Sequence, residues 1–362
     1  MKNIALLIKL ILLRLFNKLT SKSILPISYT VSVTYRCNSR CKTCNIYKKK
    51  SEELSAKEYA KIFKKIGKSA YWITISGGEP FLKKDLYEII QAIYKHSKPK
   101  VINIPTNGLL HNEIPTLVEK IAKNCPKSQI IINLSIDAIE NQDDEIRGVK
   151  FAYSKAISTF RKLKKLKIEN LNIGIHTVIS KYNENNFQQI AGKLMSFEPD
   201  SYVTEIAENR VELGTMKYDI SPSVMKYSQA IDYLLFHIKQ MKFQGMNRIT
   251  QTFRIEYYKM VKRLLVEQKQ QIKCYAGILS AQIAPNGDVW PCCMKAVNVG
   301  NLKDFDYNFK KLWKKNETLN NELKKIVEES CYCPMANASY TNMLMNNKIM
   351  WKATKHFLFG SK

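Results

Sequence analysis

Tyr29-Thr-Val-Ser-Val-Thr-Tyr-Arg-Cys37-Asn-Ser-Arg-Cys41-Lys-Thr-Cys44 is a β-branched run that ends in three closely spaced cysteines. The run predicts a strand over Tyr29–Thr34, with the cysteines on the loop that leaves it. Similar short runs follow at Tyr71–Ser76, Lys100–Pro105, Gln129–Ile136, Leu171–Ile179 and Ser201–Ile206. Between them, helical patterns cover Ala56–Ile66, Leu86–His96, Ile114–Asn124, Tyr153–Leu166 and Asn185–Phe197. Apolar strands separated by helices are the pattern of parallel βαβ units. Six of them within about 180 residues predict an α/β fold, a partial (β/α)6 barrel with its site on loops at the C-terminal strand ends. The three cysteines then stand on its rim.

Three thiolates on a short loop can hold three corners of a four-iron cluster and leave one iron open to a ligand. A structural zinc site closes its shell with a fourth Cys or His, and none is near in sequence. The remaining cysteines are Cys125, which reads as a small apolar core residue, and a distant group of Cys274, Cys292, Cys293, Cys331 and Cys333. No cleavable signal peptide is evident, so grouped cysteines read as metal ligands in a reducing cytoplasm rather than as disulfides.

The chain has 362 residues, and 58 Lys+Arg against 31 Asp+Glu give a formal charge of +27. Such an excess attracts anionic partners but says nothing about fold. Its source is either a solvated surface or a real anionic partner. Nucleic acid is disfavoured, because no basic-aromatic stripe or recognised binding module is present. The stretch from Met1 to Leu19 is apolar but carries Lys2, Lys9, Arg14 and Lys18, and its uninterrupted runs are too short to span a bilayer. It suits a helix lying in a membrane interface, peripheral on the inner face, or a helix covering one end of the catalytic domain. Met343 to Phe359 mixes Met, Trp and Phe with Lys in the same way.

The run from Val33 to Cys44 resembles the signature of the radical S-adenosylmethionine (radical SAM) superfamily. The resemblance implies that S-adenosylmethionine chelates the open iron of a [4Fe-4S] cluster held by Cys37, Cys41 and Cys44. The residue before the third cysteine is often aromatic in that family, and here it is Thr43. Ser76-Gly77-Gly78-Glu79-Pro80, one βα unit later, is similar to the family's motif for contacting the methionine ammonium. Ser135 and Asp137 end the fourth run and Arg147 follows a dozen residues after the serine. The resemblance implies that Ser135 touches the cofactor and that Arg147 pairs with its carboxylate, for which a guanidinium fork is well suited. Helix capping and a surface arginine are the plain alternatives. Asn107, in Thr106-Asn107-Gly108, occupies the comparable position after the third run.

Cys274, then Gly287 and Cys292, resemble the start of the auxiliary-cluster region called SPASM, or its shorter form, Twitch. Only Cys331 and Cys333 follow. The implied count is one second [4Fe-4S] cluster on Cys274, Cys292, Cys331 and Cys333, with Cys293 able to replace a neighbour and zinc as the alternative metal. An Asn286-Gly287 pair predicts a tight hairpin turn between two strands there.

The expected organisation is therefore a basic-apolar helix over residues 1–28, the barrel over 29–220, a helical connection over 221–270, with helices near Pro222–Phe243 and Arg248–Gln270, an auxiliary-cluster domain over 271–335 and a basic-apolar tail over 336–362. The expected activity is radical SAM chemistry: reductive cleavage of S-adenosylmethionine, fed by a low-potential donor of the flavodoxin or ferredoxin type, and hydrogen abstraction from a substrate. The basic-apolar ends favour a small-molecule or lipid-linked substrate at a membrane surface. A peptide-modifying maturase is the alternative; 36 residues before Cys37 are too few for a separate peptide-recognition domain. An iron–sulfur electron carrier explains the cysteines but not the Gly-Gly-Glu-Pro run. His96, His111, His176 and His237 form no ligand pattern, and Glu205, Glu208 and Arg210, toward the end of the last expected strand and beyond, are placed to reach substrate but receive no catalytic role.

Overall fold

The computed structural model of the chain describes residues 25–241, 247–314, 316–328 and 331–360. The expected helix over 1–28, and the membrane-surface reading attached to it, lie almost wholly outside the described residues.

Six strands, β1 (Ser28–Thr34), β2 (Trp72–Gly77), β3 (Val101–Thr106), β4 (Gln129–Ser135), β5 (Leu171–Ile179) and β6 (Ser201–Ile206), lie side by side in chain order and all parallel. The helices that return the chain are α1 (Ala56–Ile66), α2 (Leu86–Ser97), α3 (Glu113–Asn124), α4 (Glu140–Arg147), α5 (Ala152–Lys164) and α6 (Phe187–Met195). The sheet does not close on itself, so the partial barrel expected from the sequence is the fold. The capping box of Ser55 and Glu58 starts α1. The short helix α4 is absent from the sequence expectation; it has four acids among eight polar-rich residues and little apolar pattern to reveal it.

Every second residue of each strand faces the helices, and most are apolar, with Thr106, Thr177 and Thr204 the buried exceptions. Tyr29, Val31, Val33, Ile73, Ile75, Ile102, Ile104, Ile130, Ile132, Leu134 and Ile175 are fully buried there. Each side chain of this size contributes about 1.5–3 kcal/mol relative to an exposed one. The alternate residues line the inner face and are mostly polar. Ser32 stands opposite Ser76, Pro105 opposite Asn133, and Ser135 opposite His176. Asn133 donates to Asn103 at 3.0 Å, and Asn103 to Thr74 at 3.4 Å. The lumen is thus a polar chamber rather than a packed barrel core.

Past β6 come α7 (Val224–Gln240) and α8 (Asn247–Glu267), the helical connection that the sequence implies. Ser223 caps α7 by accepting from Lys226 N. Tyr258 of α8 covers the free edge of β6, its hydroxyl accepting from Thr204 N at 3.1 Å. Two strands follow, β7 (Ser280–Ile283) and β8 (Val289–Trp290), joined antiparallel. The expected two-residue Asn286-Gly287 turn gives way to a wider one: Ala284 N donates to Asp288 O, Gly287 N donates to Ala284 O, and only Gly287 has a positive φ, +96°. The Asn286 side chain bonds Asp288 instead, which holds the broader loop.

The hairpin extends the barrel sheet. β7 pairs parallel with β1, from Ser28↔Ser280 to Val31↔Ile283. The helices α9 (Phe309–Trp313) and α10 (Glu317–Glu328) follow, and Phe309 meets the Tyr29 ring edge-on at 5.4 Å. The tail forms α11 (Ala336–Leu344) and α12 (Asn347–Phe359). α12 buries Ile349, Met350 and Ala353 and bonds α8 through Lys352–Glu256, while Trp351, Leu358 and Phe359 stay exposed. Among the described residues no helix is long and apolar enough to cross a membrane.

Candidate active site

The cysteine loop after β1 is clamped on two sides by backbone. Gly78 N donates to Thr34 O at 2.7 Å and Glu79 N to Arg36 O at 2.8 Å. A Cβ on Gly77 would collide with the Thr34 carbonyl, and one on Gly78 with the Arg36 carbonyl. Gly77 also sits at φ +133°, where a side chain is strained. The two glycines therefore let the β2 end press against the protein's own cysteine loop. From the other side, Arg40 N donates to Arg147 O and Lys42 N to Ile146 O, both at 2.8 Å. Gly148, at φ +64°, ends α4 beneath Arg40, where a Cβ would lie 2.6 Å from the carbonyl oxygen.

Glu79 is buried and fully engaged. Its carboxylate accepts from Thr106 Oγ1 and Asn107 N at 2.8 Å and from Phe81 N at 3.2 Å. Burial outweighs these bonds and pushes its pKa up to about 7. Pro80 opens the single 3-10 turn behind it. The Asn107 amide, fixed by Glu79 at its backbone, donates to Asn38 Oδ1 at 2.7 Å and Ser39 Oγ at 3.2 Å, and lies 3.9 Å from Cys37 Sγ.

Arg147 is buried, with Nη2 at 2.8 Å from Asp137 Oδ2, Nε at 3.8 Å from Asp143 Oδ1 and Nη1 at 3.8 Å from Cys41 Sγ. Asp137 also accepts from Val178 N, and Asp143 from Asp137 N and Ala138 N. Burial pushes Asp143 up to about 6 despite the arginine. Neither plain alternative describes the two residues: Arg147 is no surface arginine, and Asp137 caps no helix. Ser135 stands half-buried on the inner face of the β4 end, beside His176. The structure thus brings Cys37, Cys41, Gly77, Gly78, Glu79, Pro80, Asn107, Asp137 and Arg147 around one loop, with Ser135 at the adjoining strand end.

The donor set fits an iron–sulfur cluster with an open iron. Cys37, Cys41 and Cys44 are free thiols, and burial raises all three, Cys37 to about 11 and Cys44 to about 12. A buried thiolate requires a compensating cation, which cluster iron supplies. Among the described residues no three His, Cys, Asp or Glu side chains converge to hold a single metal ion. Separate corners are what a cluster asks for.

Cys274, Cys292, Cys331 and Cys333 gather between the end of α8, the β8 end and the start of α11. A small pocket is lined by Cys274, Cys331 and Cys333 with Gln270 and Asn342. Cys331 is among the charges that raise the Cys274 and Cys292 thiols, Cys274 also acts on Cys292, and Cys333 is raised by Cys331 and Cys292. Cys293 is buried against Met335 Sδ at 2.7 Å, beside Glu212.

A further group stands at the lumen mouth: the sequence marks its Glu205, Glu208 and Arg210 as placed to reach substrate, but gives His176 no part in it. Glu205, on the inner face of β6, lies 3.7 Å from His176 Nε2 and 3.5 Å from Arg210 Nη2. Glu208 Oε1 is 3.1 Å from both Nε and Nη2 of Arg210. The signal was the period-2 position of His176 in β5 and Glu205 in β6, polar residues at inward positions of otherwise apolar strands.

The radical SAM superfamily model matches residues 31–194, and that of the SPASM iron–sulfur cluster-binding domain matches 274–334. Among curated relatives, the sporulation killing factor maturation protein SkfB of Bacillus subtilis is 27% identical over 47% of this chain and 39% of its own length. The antilisterial bacteriocin subtilosin biosynthesis protein AlbA of the same organism is 25% identical over 77% of this chain and 58% of its own. The chain thus spans less than two thirds of either relative. In fold, it resembles Streptococcus suis SuiB bound to S-adenosylmethionine, with a TM-score of 0.62 and 15% identity over 83% of this chain and 68% of that one. It also resembles anSMEcpe bound to AdoMet and a peptide, with a TM-score of 0.59 and 17% identity over 93% and 96%. With the cysteine loop, its clamps and the downstream cysteine set in place, the chain belongs to the radical SAM superfamily of enzymes and carries a SPASM-type iron–sulfur region.

Proposed function

We propose that the chain is a peptide-modifying radical SAM enzyme, with a [4Fe-4S] cluster on Cys37, Cys41 and Cys44, S-adenosylmethionine beside it, and a second [4Fe-4S] cluster on Cys274, Cys292, Cys331 and Cys333. The observation that carries the reaction class is the loop of three half-buried thiols at the barrel mouth, braced by Gly77–Gly78 and α4. Bound there, the cluster and cofactor supply a 5′-deoxyadenosyl radical for hydrogen abstraction. Arg147 holds positive charge beside Cys41 and favours its thiolate form. Glu79 fixes Asn107 against the loop, and the ends of β2, β3 and β4 present Gly77–Pro80, Asn107, Ser135 and Asp137 to the cofactor side. The polar lumen beneath positions substrate.

A peptide substrate is supported by the relatives: SkfB is named a maturation protein and AlbA a bacteriocin biosynthesis protein, and SuiB has been solved with a precursor peptide. The lipid-linked reading drew on the basic-apolar ends, and the described one, α12, turns much of its apolar face onto α8. Electrons enter from a low-potential carrier of the flavodoxin or ferredoxin type that meets the exposed Arg36, Arg40, Lys42, Lys48 and Lys50 around the cluster loop. The test is anaerobic reconstitution with iron and sulfide, then incubation with S-adenosylmethionine and dithionite. Release of 5′-deoxyadenosine by the wild type and not by the Cys37→Ala/Cys41→Ala/Cys44→Ala variant supports the reading; a cluster-loaded wild type that neither binds nor cleaves S-adenosylmethionine refutes it.

A further inference from the structure

We propose that Glu205 and Glu208, held apart by Arg210 and flanked by His176, form a cradle at the lumen mouth for a cationic group of the substrate, a protonated amine or a guanidinium. The inference rests on the lumen being the substrate chamber. Its own support is the placement of two carboxyl groups on one guanidinium and the unmet hydrogen bond of Glu208.

Two carboxylates share one guanidinium: Arg210 Nη2 lies 3.5 Å from Glu205 and 3.1 Å from Glu208. Burial pushes the Glu208 carboxyl up to about 7, because Arg210 alone does not offset the desolvation of its charge. A buried charge without a partner is costly, so a site of this kind is completed by a counter-charge. The unmet atoms point the same way. Glu208 is only 9% exposed, and its Oε2 has no hydrogen-bond partner. The His176 Nε2 atom is also buried without one. Glu208 Oε2 is an acceptor without a donor, and an ammonium or guanidinium offers several donors from one centre.

Position and access fit a substrate group. Glu205 and His176 keep 26% and 20% of their side chains exposed, enough to be reached from the chamber. His176 stands beside Ser135 at the end of β4, on the cofactor side. Glu208 lies within electrostatic reach of Cys331, on the auxiliary side. A cation seated here is therefore fixed between the two cysteine sets. An anionic group would find Arg210 already shared by two carboxylates.

The probes are small side-chain mimics: agmatine for guanidinium, cadaverine for ammonium, butyramide as a neutral control and succinate as an anion. Saturation-transfer-difference NMR on the reconstituted full-length chain reads their binding at physiological salt. Agmatine or cadaverine should show transfer well above butyramide, and Glu205→Gln should reduce it about fivefold, the size of one partly exposed charge pair. Glu208→Gln should do the same, with circular dichroism checking its fold. Equal transfer from butyramide, dominant transfer from succinate, or cation binding untouched in Glu205→Gln overturns the cradle. Cleavage of S-adenosylmethionine by the wild type is scored separately, so loss of one reading leaves the other standing.

Discussion

Replacing Gly78 by alanine should damage the cluster site more than the barrel. Gly78 has an ordinary φ, so the added methyl acts by space alone. Its Cβ would lie 2.7 Å from the Tyr35 carbonyl oxygen and closer still to that of Arg36, whereas ordinary contact begins at 3.4 Å. Both neighbours are backbone, so the cysteine loop must retreat by at least about 0.7 Å, a gap that forfeits close contacts. That movement stretches two hydrogen bonds, Gly78 N to Thr34 O and Glu79 N to Arg36 O. At about 1 kcal/mol each, plus the steric cost, the loss is about 2–4 kcal/mol. The same movement shifts Cys37, one residue beyond Arg36, relative to Cys41, whose neighbours remain tied to α4. The expected result is a folded Gly78→Ala chain with lower urea resistance. After anaerobic reconstitution it should load about half the iron of wild type, keeping the auxiliary cluster only. An unchanged unfolding midpoint together with full iron content would refute the clamp argument.

Three other outcomes follow from the site. Cys333→Ala should remove about four irons per reconstituted chain, while Cys293→Ser, packed against Met335, should keep the wild-type complement, both read by iron and sulfide analysis. The Glu79 carboxyl, raised by burial from 4.5 to about 7, binds its proton more tightly folded than unfolded. Its contribution to stability is therefore full below pH 4.5 and is lost as pH rises to about 7, by about 3 kcal/mol. Urea titrations across that window should show this fall in wild type and its absence in Glu79→Gln. Reversing Lys42, Lys48 and Lys50 to Glu should slow 5′-deoxyadenosine formation about tenfold when a reduced flavodoxin supplies the electron, with a weaker salt dependence, because steering by exposed charges is lost. A slowing of equal size with dithionite would place the lysines in the reaction rather than in docking.

The barrel was legible because its outward residues are apolar and β-branched, and because α1, α2 and α3 carry apolar stripes bounded by polar caps. Strand bounds for β5 and β6 agree with the sequence reading to the residue. The cysteine sets were legible from spacing, which covalent chemistry constrains more tightly than packing does. What escaped was information carried by pairs distant in sequence. The acid-rich helix α4 had no apolar stripe, yet its carbonyls brace the cysteine loop. His176 and Glu205 looked scattered because they meet only when β5 and β6 lie in register. The role of Gly77 and Gly78 against the protein's own backbone depended on how closely β2 approaches the loop leaving β1, which no local pattern states.

The pairing of β7 with β1 sets an order on biogenesis. Ser28 and Ser280 are about 250 residues apart, so the strand that launches the cysteine loop gains its second neighbour only late in synthesis. Until then β1 is a bare apolar edge, open to pairing with another chain. Metal delivered to a nascent chain would meet three cysteines on a strand still missing one flank. Assembly after release from the ribosome is the safer sequence of events, and a chain truncated before Ser280 should be an aggregation hazard rather than a smaller working enzyme.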